Sequence, residues 1–463
     1  MVKQPQHYAM FGLGKTGQAT ARALAKAGHD VVAWDDGQAS REAFAAAVPN
    51  VTLVAVEDWP WKRLDALVLS PGVPLHFPQP HRSAAFARAN GVRITSDVEL
   101  FCDAHASSRV IGITGTNGKS TTTTLIGHIF AAAQKPCAVG GNLGTPVMDL
   151  PALHADGSYI FELSSYQLDL CDHTRVHTAV LLNFSPDHLD RHCSMAGYIA
   201  AKKRIFAHQQ SGDTAIIGMD DADACAVYDD MRARAGIRTL AISGCKPCAG
   251  GVYVQEGMLI DDTGDAPIRF DLRAIKALQG EHNWQNAAAA YAACVIHSIA
   301  PQEIYAAMQS FAGLDHRMQW LGEISGVQFV NDSKATNADA AEKALKTYDH
   351  IFWIAGGVAK EGGIASLTPY FSKIAHAYVI GEAAPDMAAV LAQKQVTYTC
   401  SQTLDHAMTA AFHDAKQSKL PGACVLLSPA CASFDQYPNF EARGAHFMRL
   451  FAALKEGSYV HAG

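Results

Sequence analysis

No apolar run in this chain approaches the ~18 residues that a membrane-spanning helix requires; the longest, Ala287 to Ile296, stops at His297. Met1 to Gly12 has no basic start followed by a long apolar core, so a secretory leader is not expected. A basic excess is also missing. Lys and Arg number 37 against 44 Asp and Glu, a formal net charge of -7, and without a basic face the chain is not expected to hold nucleic acid. Anionic ligands must therefore be met by local sites. There is no short repeat and no low-complexity tract beyond alanine-rich helical patches. The 11 cysteines are odd in number and read as scattered without CxxC pairs, hence as reduced thiols and not as a disulfide framework or a zinc site. A cytoplasmic, monomeric chain with no membrane association is the expectation.

What the chain does have is material for several cores. Its 463 residues are 49% hydrophobic and 17% charged, the balance of a globular protein, and a usual domain size of ~100–200 residues suggests about three domains. β-prone apolar runs ending in Gly, Ser, Asp or Pro alternate with helical stretches, as in parallel sheets flanked by helices, so the fold class is α/β. A first block, 1–97, holds the runs His7 to Gly12, Val31 to Asp35, Leu67 to Ser70 and Val92 to Thr95. A second, 98–313, starts afresh at Arg109, and its glycine-punctuated stretch Tyr253 to Phe270 reads as antiparallel strands at the side of the sheet. The third, 314–463, carries Val327 to Asn331, Ile351 to Gly356, Tyr378 to Gly381 and Val425 to Ser428.

The sharpest local signal is Arg109 to Ile113, an apolar strand that runs into Thr114, Gly115, Thr116, Asn117, Gly118, Lys119, Ser120 and Thr121 before the helical stretch Leu125 to Ala133. Strand, glycine loop and helix form a phosphate cradle. Backbone N–H groups face phosphate oxygens, Lys119 reaches the terminal phosphates, and the Ser120 hydroxyl can ligate magnesium. The strict P-loop pattern would place a glycine where Ile113 stands, so the shorter GTNGKS form is the one present.

Ligands of open α/β sheets lie beyond the carboxyl ends of the strands. Tyr159 to Phe161 delivers Glu162, Ser164 and Ser165 there, and Ala179 to Leu182 delivers Asn183, Asp187, His188, Asp190 and Arg191. Glu162 and His188 are the candidate metal ligands; Asp187 or Asp190 is expected to cap the following helix. Gly140 to Pro146 is a permissive loop with one amide, Asn142, and Asn283 and Asn286 share a face at the start of an alanine-rich helix, where they could meet a purine or cap the helix.

With Gly115 to Ser120, Glu162 to Ser165, Asp187 to Arg191, and Gly280, His282, Asn283 and Asn286 in this order, the chain resembles the Mur ligases; folylpolyglutamate synthases share much of the pattern. Asn331 to Asn337 and Ser428 to Asp435 are similar to the D-glutamate-adding members of the family. The resemblance covers all three blocks. It implies a Rossmann-like N-terminal domain for a UDP-sugar substrate, a central P-loop ATPase domain and a Rossmann-like C-terminal domain that brings the amino acid. The implied reaction is ATP-dependent addition of D-glutamate to UDP-N-acetylmuramoyl-L-alanine through an acyl phosphate, in cytoplasmic peptidoglycan precursor synthesis, with one or two Mg2+ ions and ATP as co-substrate.

Gly12, Gly14 and Gly17 after a strand, with Asp35 ending the next, would alone suggest a dinucleotide site. The resemblance instead makes Lys15, Thr16, Asp35, Ser70, Pro71, Gly72 and Asn142 candidates for the UDP substrate. Lys202, which on its own reads as part of a solvated helix face with Lys203 and Arg204, matches the lysine the family carries as a carbamate near magnesium. Arg317 and Asp332 match residues that reach ATP. Lys334, Thr336, Lys360, Ser433 and Phe440, with His188, match the D-glutamate site, although the residues flanking Lys360 depart from the family pattern. Cys431 has no base nearby in sequence and reads as packing. Closure on substrate binding is expected, with joints near residues 97 and 313.

Overall fold

The computed structural model describes residues 5–360 and 362–457, so the first four residues of the stretch read as lacking a leader lie outside the described residues. The fold is α/β, with three parallel-rich sheets, as expected. The chain forms two compact units: one runs to Leu272 and takes up Asn283–Gln309 again, and the other comprises Arg273–His282 and the chain from Ser310 onward. Among the described residues no helix is long and apolar enough to cross a membrane.

The first unit carries two sheets. One is wholly parallel, in the order Thr52–Leu53, Asp30–Trp34, His7–Phe11, Ala66–Leu69, Arg93–Thr95. Ala9 and Phe11 pack with Leu67 and Leu69 on one face, while Tyr8 and Met10 pack with Ala66 and Val68 on the other. Both faces are covered, which is why these strands read as unbroken apolar runs.

The second sheet has nine strands, ordered Ile268–Asp271, Met258–Asp261, Val252–Gln255, Arg238–Ser243, Thr214–Gly218, Thr178–Leu181, Arg109–Thr114, Ser158–Glu162, Cys137–Gly141. The antiparallel pairings expected in Tyr253 to Phe270 are present, and Val252–Gln255 itself joins the rest of the sheet in parallel. Arg109–Thr114 sits between Ser158–Glu162 and Thr178–Leu181. The chain leaves this strand toward one edge and later crosses to its other side. The carboxyl ends at Thr114, Glu162 and Leu181 therefore border a topological switch point, where open α/β sheets form their ligand sites.

The second unit carries a six-stranded sheet ordered Gln319–Ile324, Val327–Asn331, Cys424–Leu427, Ile351–Gly356, Ile374–Ile380, Tyr398–Gln402, antiparallel only at its first pair. Ile351, Trp353 and Ala355 enter the core on one face, and Phe352 and Ile354 the core on the other. Two edge strands were not foreseen. Tyr398, Thr399 and Cys400 are exposed, so the strand they form has no apolar alternation to announce it.

Candidate active site

The phosphate loop leaves its strand at Thr114 and enters the helix Lys119–Ala132 through Gly118, which adopts φ +85 as the residue preceding the helix. That left-handed conformation suits glycine. A Cβ at Gly118 would also lie 2.1 Å from Asn286 Oδ1, so the loop and the alanine-rich helix meet where no side chain fits. Asn286 accepts a hydrogen bond from Thr122 Oγ1 (3.2 Å) and donates to Asn283 Oδ1 (3.1 Å). The two asparagines share a face, as their spacing required, and Asn283 is the third residue of the helix Glu281–Ile296.

The other side of the loop is held by the strand Thr178–Leu181 and the residues just beyond it. Asn183 accepts from the Thr116 N–H through its carbonyl (2.9 Å) and from the Asn117 N–H through Oδ1 (2.9 Å). Thr116 Oγ1 accepts from the Ser185 N–H at 3.0 Å and lies 3.1 Å from the Tyr198 hydroxyl. Lys119 donates to the loop carbonyls of Gly115 (2.9 Å) and Thr116 (2.8 Å).

Lys202, from the helix Met195–Lys203, donates to the same Gly115 carbonyl at 2.8 Å and stands 4.8 Å from the centre of the Tyr198 ring. It is only 1% exposed. Burial, and then the Lys119 charge, push its amine down to about 6. The solvated helix face that the local sequence suggests is thus not what forms at this lysine. Glu162 is also buried: Oε1 accepts from Asn142 Nδ2 at 2.6 Å, and Oε2 has no hydrogen-bond partner. Gly141 (φ +104) permits this approach, because a Cβ there would lie 2.4 Å from the Glu162 carbonyl. Ser120 is buried at the start of the helix.

His188 is exposed, adopts φ +53, and places its ring 4.9 Å from that of Tyr166 and Nε2 3.4 Å from Asp187 Oδ2. One expectation fails here. The short helix Leu189–His192 is preceded by His188 with no side-chain cap, so neither Asp187 nor Asp190 caps it; the left-handed turn at His188 directs the chain instead. Arg191 reaches the first sheet, donating to the carbonyls of Val73 (2.7 Å) and Phe77 (3.2 Å).

In the first sheet the glycine turn is tied by side chains. Asp35 accepts from the N–H groups of Leu13 (2.7 Å) and Gly37 (2.8 Å), and Ser70 Oγ donates to the Gly12 carbonyl at 2.7 Å. Lys15 opens the helix Lys15–Lys26 and is exposed, Thr16 is half-buried beside it, and Pro71 and Gly72 follow Ser70 at the neighbouring strand end.

In the second unit, Asp332 is buried and accepts from Ser428 Oγ (2.8 Å) and the Met318 N–H (3.1 Å); burial pushes its carboxyl up to about 7. Arg317 lies nearby and opposes that shift. Lys334 Nζ stands 3.8 Å from the centre of the Phe440 ring, and the Thr336 N–H bonds the Lys334 carbonyl at 2.8 Å. Lys360 lines a cavity of about 530 Å³ with Asn337, Asp339, Ser366 and Ala430. Ser433 is buried. Cys431 is buried in the core and its thiol is pushed up to about 11, in accord with packing.

Comparison with known proteins places this arrangement. Residues 113–294 match the Mur ligase middle domain and residues 316–431 the Mur ligase glutamate ligase domain. The UDP-N-acetylmuramoylalanine–D-glutamate ligase of Paramagnetospirillum magneticum is 49% identical, over 97% of this chain and 96% of its own length. The chain belongs to the Mur ligase family. The ligase of the same description from Caulobacter vibrioides is 50% identical over 97% of this Mur ligase and 96% of its own length. MurF from Acinetobacter baumannii shares the fold at a TM-score of 0.59 and 17% identity, over 96% of this chain and 93% of that one. The UDP-N-acetylmuramate–alanine ligase MurC of Thermotoga maritima does so at 0.57 and 15%, over 98% and 100%.

Among the described residues no three His, Cys, Asp or Glu side chains are grouped to hold a metal ion, and the fit of magnesium to this Mur ligase rests on a single carboxylate. A buried carboxylate oxygen without a partner costs about 1–3 kcal/mol or more, and Glu162 Oε2 is such an atom in a site that also holds a hydroxyl and a lysine. Sequence reasoning did not assign Tyr198, Gln285 or Asp220, whose side chains back the loop. Nor are the cysteines without a CxxC pair, as expected: Cys245, Lys246, Pro247 and Cys248 form one, a spacing visible in the sequence.

Proposed function

We propose that this Mur ligase joins D-glutamate to UDP-N-acetylmuramoyl-L-alanine with conversion of ATP to ADP and phosphate, in cytoplasmic peptidoglycan precursor synthesis, as a monomer. The observation that carries this reading is the 49–50% identity to D-glutamate ligases across nearly their full length. The phosphate loop and the partnerless carboxylate at the switch point support it. Residues 1–97 are assigned to the UDP substrate, 98–313 to ATP and 314–463 to the amino acid.

Gly115 to Thr121 would cradle the phosphates of ATP, with the N–H groups at the helix start and Lys119 facing their charge. Asn283, Asn286, Arg317 and Asp332 are assigned to the rest of the nucleotide. Ser120, Glu162 and His188 would hold magnesium, which when bound neutralises phosphate charge. Lys202 is suited to a further role: with its amine near 6 it is mostly neutral at pH 7, and a neutral amine can add carbon dioxide to become a carbamate, an oxygen donor beside Glu162. Lys15, Thr16, Asp35, Ser70, Pro71, Gly72 and Asn142 are assigned to the UDP substrate, and Lys334, Thr336, Lys360, Ser433 and Phe440, with His188, to D-glutamate.

The chemistry needs no covalent enzyme intermediate. A carboxylate oxygen of the alanyl group attacks the γ-phosphorus and the bond to ADP breaks, leaving an acyl phosphate. The D-glutamate nitrogen attacks the acyl carbon, loses a proton, and phosphate departs. The preorganised donors around the loop stabilise charge that develops in both steps. The test is phosphate release from ATP with UDP-N-acetylmuramoyl-L-alanine and each of several amino acids. Release stimulated by D-glutamate alone is expected. Stimulation by another amino acid, or by a folate with glutamate, would overturn the reading.

A further inference from the structure

The turn after Arg238–Ser243 holds Cys245 and Cys248 with two residues between them, at the carboxyl end of the same sheet as the phosphate loop. Neither forms a disulfide, Cys245 is exposed and Cys248 half-buried. Ser243 Oγ bends the turn by accepting from the N–H groups of Cys245 (3.2 Å) and Lys246 (2.9 Å). The same hydroxyl donates to Asp220 Oδ1 at 2.5 Å, and Cys245 Sγ lies 3.5 Å from that oxygen.

Asp220 connects the turn to the nucleotide loop. Its Oδ2 accepts from the Gly244 N–H and from Gln285 Nε2, both at 2.8 Å. Gln285 Oε1 accepts from Asn183 Nδ2 at 2.8 Å, and Asn183 Oδ1 accepts from the Asn117 N–H at 2.9 Å. The chain from Cys245 to Asn117 is thus a continuous set of hydrogen bonds across neighbouring strand ends. Gln285 is buried, so it has no water with which to replace a lost partner at small cost.

We propose that Cys245 and Cys248 are a reversible oxidation site, and that the disulfide they form draws the turn away from Asp220 and loosens the phosphate loop. Cys245 is the more exposed thiol and the one an oxidant meets first, and Cys248 is half-buried; burial and then the Asp220 charge push the Cys248 thiol up to about 11, which slows its attack in the second step. With a low-molecular-weight disulfide as oxidant, the Cys245 thiolate attacks one sulfur, the oxidant's S–S bond breaks and one small thiol leaves. Cys248 gives its proton to solvent and attacks the Cys245 sulfur, expelling the second small thiol. Two protein thiols are oxidised, and one small disulfide is reduced to two thiols.

The inference concerns a modification of the ATP site and so rests on the proposed function for its consequence. The test treats the full chain with oxidised glutathione, maps disulfides by peptide mass, and titrates ATP against the reduced and oxidised forms. A Cys245–Cys248 bond is expected, with ATP affinity about tenfold weaker in the oxidised form, restored by dithiothreitol. By reciprocity, saturating ATP then moves the midpoint potential of the pair by about 30 mV toward easier reduction. Cys245→Ser and Cys248→Ser chains should bind ATP normally when reduced and form no intramolecular disulfide, and the Cys248→Ser chain should stop at the mixed disulfide of Cys245 with glutathione, which dithiothreitol releases. Amide hydrogen exchange at Asn117, faster in the oxidised chain, reads the same relay without nucleotide. It separates this inference from the ATP reading, which fails if the reduced chain binds no ATP. A bond from either cysteine to another thiol of the chain, no bond at all, or a Cys245–Cys248 bond that leaves Asn117 exchange unchanged would overturn the inference.

Discussion

Replacing Gly118 by alanine tests how the phosphate loop is held. The residue adopts φ +85, and an added Cβ would lie 2.1 Å from Asn286 Oδ1. A non-glycine residue in the left-handed region costs roughly 1–2 kcal/mol. Moving Asn286 away forfeits its bond from Thr122, which contributes about 1 kcal/mol. Together these raise the energy of the binding conformation by about 2–3 kcal/mol. If the empty loop relaxes, the whole cost falls on ATP affinity, a loss of roughly 30–150-fold. In an Asn286→Ala background the collision with Asn286 is gone, while the backbone cost and a 3.0 Å contact with Leu182 Cδ1 remain, so Gly118→Ala should then weaken ATP by only about 5–30-fold. Calorimetric titration of ATP against the four chains gives the cycle. Equal penalties in both backgrounds would refute the idea that Asn286 buttresses the loop at Gly118.

The same geometry sets further outcomes. Lys119→Ala should abolish phosphate release, whereas Lys334→Ala and Ser433→Ala should chiefly raise the KM for D-glutamate; small and equal effects in steady-state kinetics would dismiss this division of labour. Asp97 opens the helix Asp97–Ala104, is 2% exposed, and has Oδ1 without a partner; burial raises its carboxyl from 3.8 to about 6. The folded chain therefore binds this proton more tightly than the unfolded one. The group costs stability as pH rises from about 4 to about 6, by about 3 kcal/mol at pH 7. Asp97→Asn should raise unfolding stability by about 1–3 kcal/mol at pH 7.5 and change little at pH 4; a denaturant midpoint that does not rise at pH 7.5 contradicts this.

Parts of the site governed by local chemistry were legible in the sequence. Gly115 to Ser120 follows an apolar strand and opens a helix, and those neighbours are enough to define the loop's conformation. The position of Glu162 was legible because a strand end is a predictable place. The relay behind the loop was not legible, since its bonds join residues 66, 102 and 65 positions apart. Lys202 illustrates the limit of helix-face reasoning. Its neighbour Lys203 does meet solvent and pairs with Asp230, but one residue of rotation turns Lys202 into the core. Asp187 and Asp190 have good capping chemistry, yet the left-handed His188 takes the position that would need it. The exposed edge strand Tyr398–Gln402 carries no apolar signal, whereas the Cys245–Cys248 spacing is plain in the sequence.

Formation of an acyl phosphate can be followed through an oxygen atom. UDP-N-acetylmuramoyl-L-alanine labelled with oxygen-18 in its alanyl carboxylate is incubated with the chain, ATP, magnesium and D-glutamate, and the released phosphate is analysed by mass. One labelled oxygen per phosphate is expected, because the carboxylate oxygen that attacks phosphorus leaves with it. Phosphate released without label while the amide forms would contradict activation of the acid by phosphorylation.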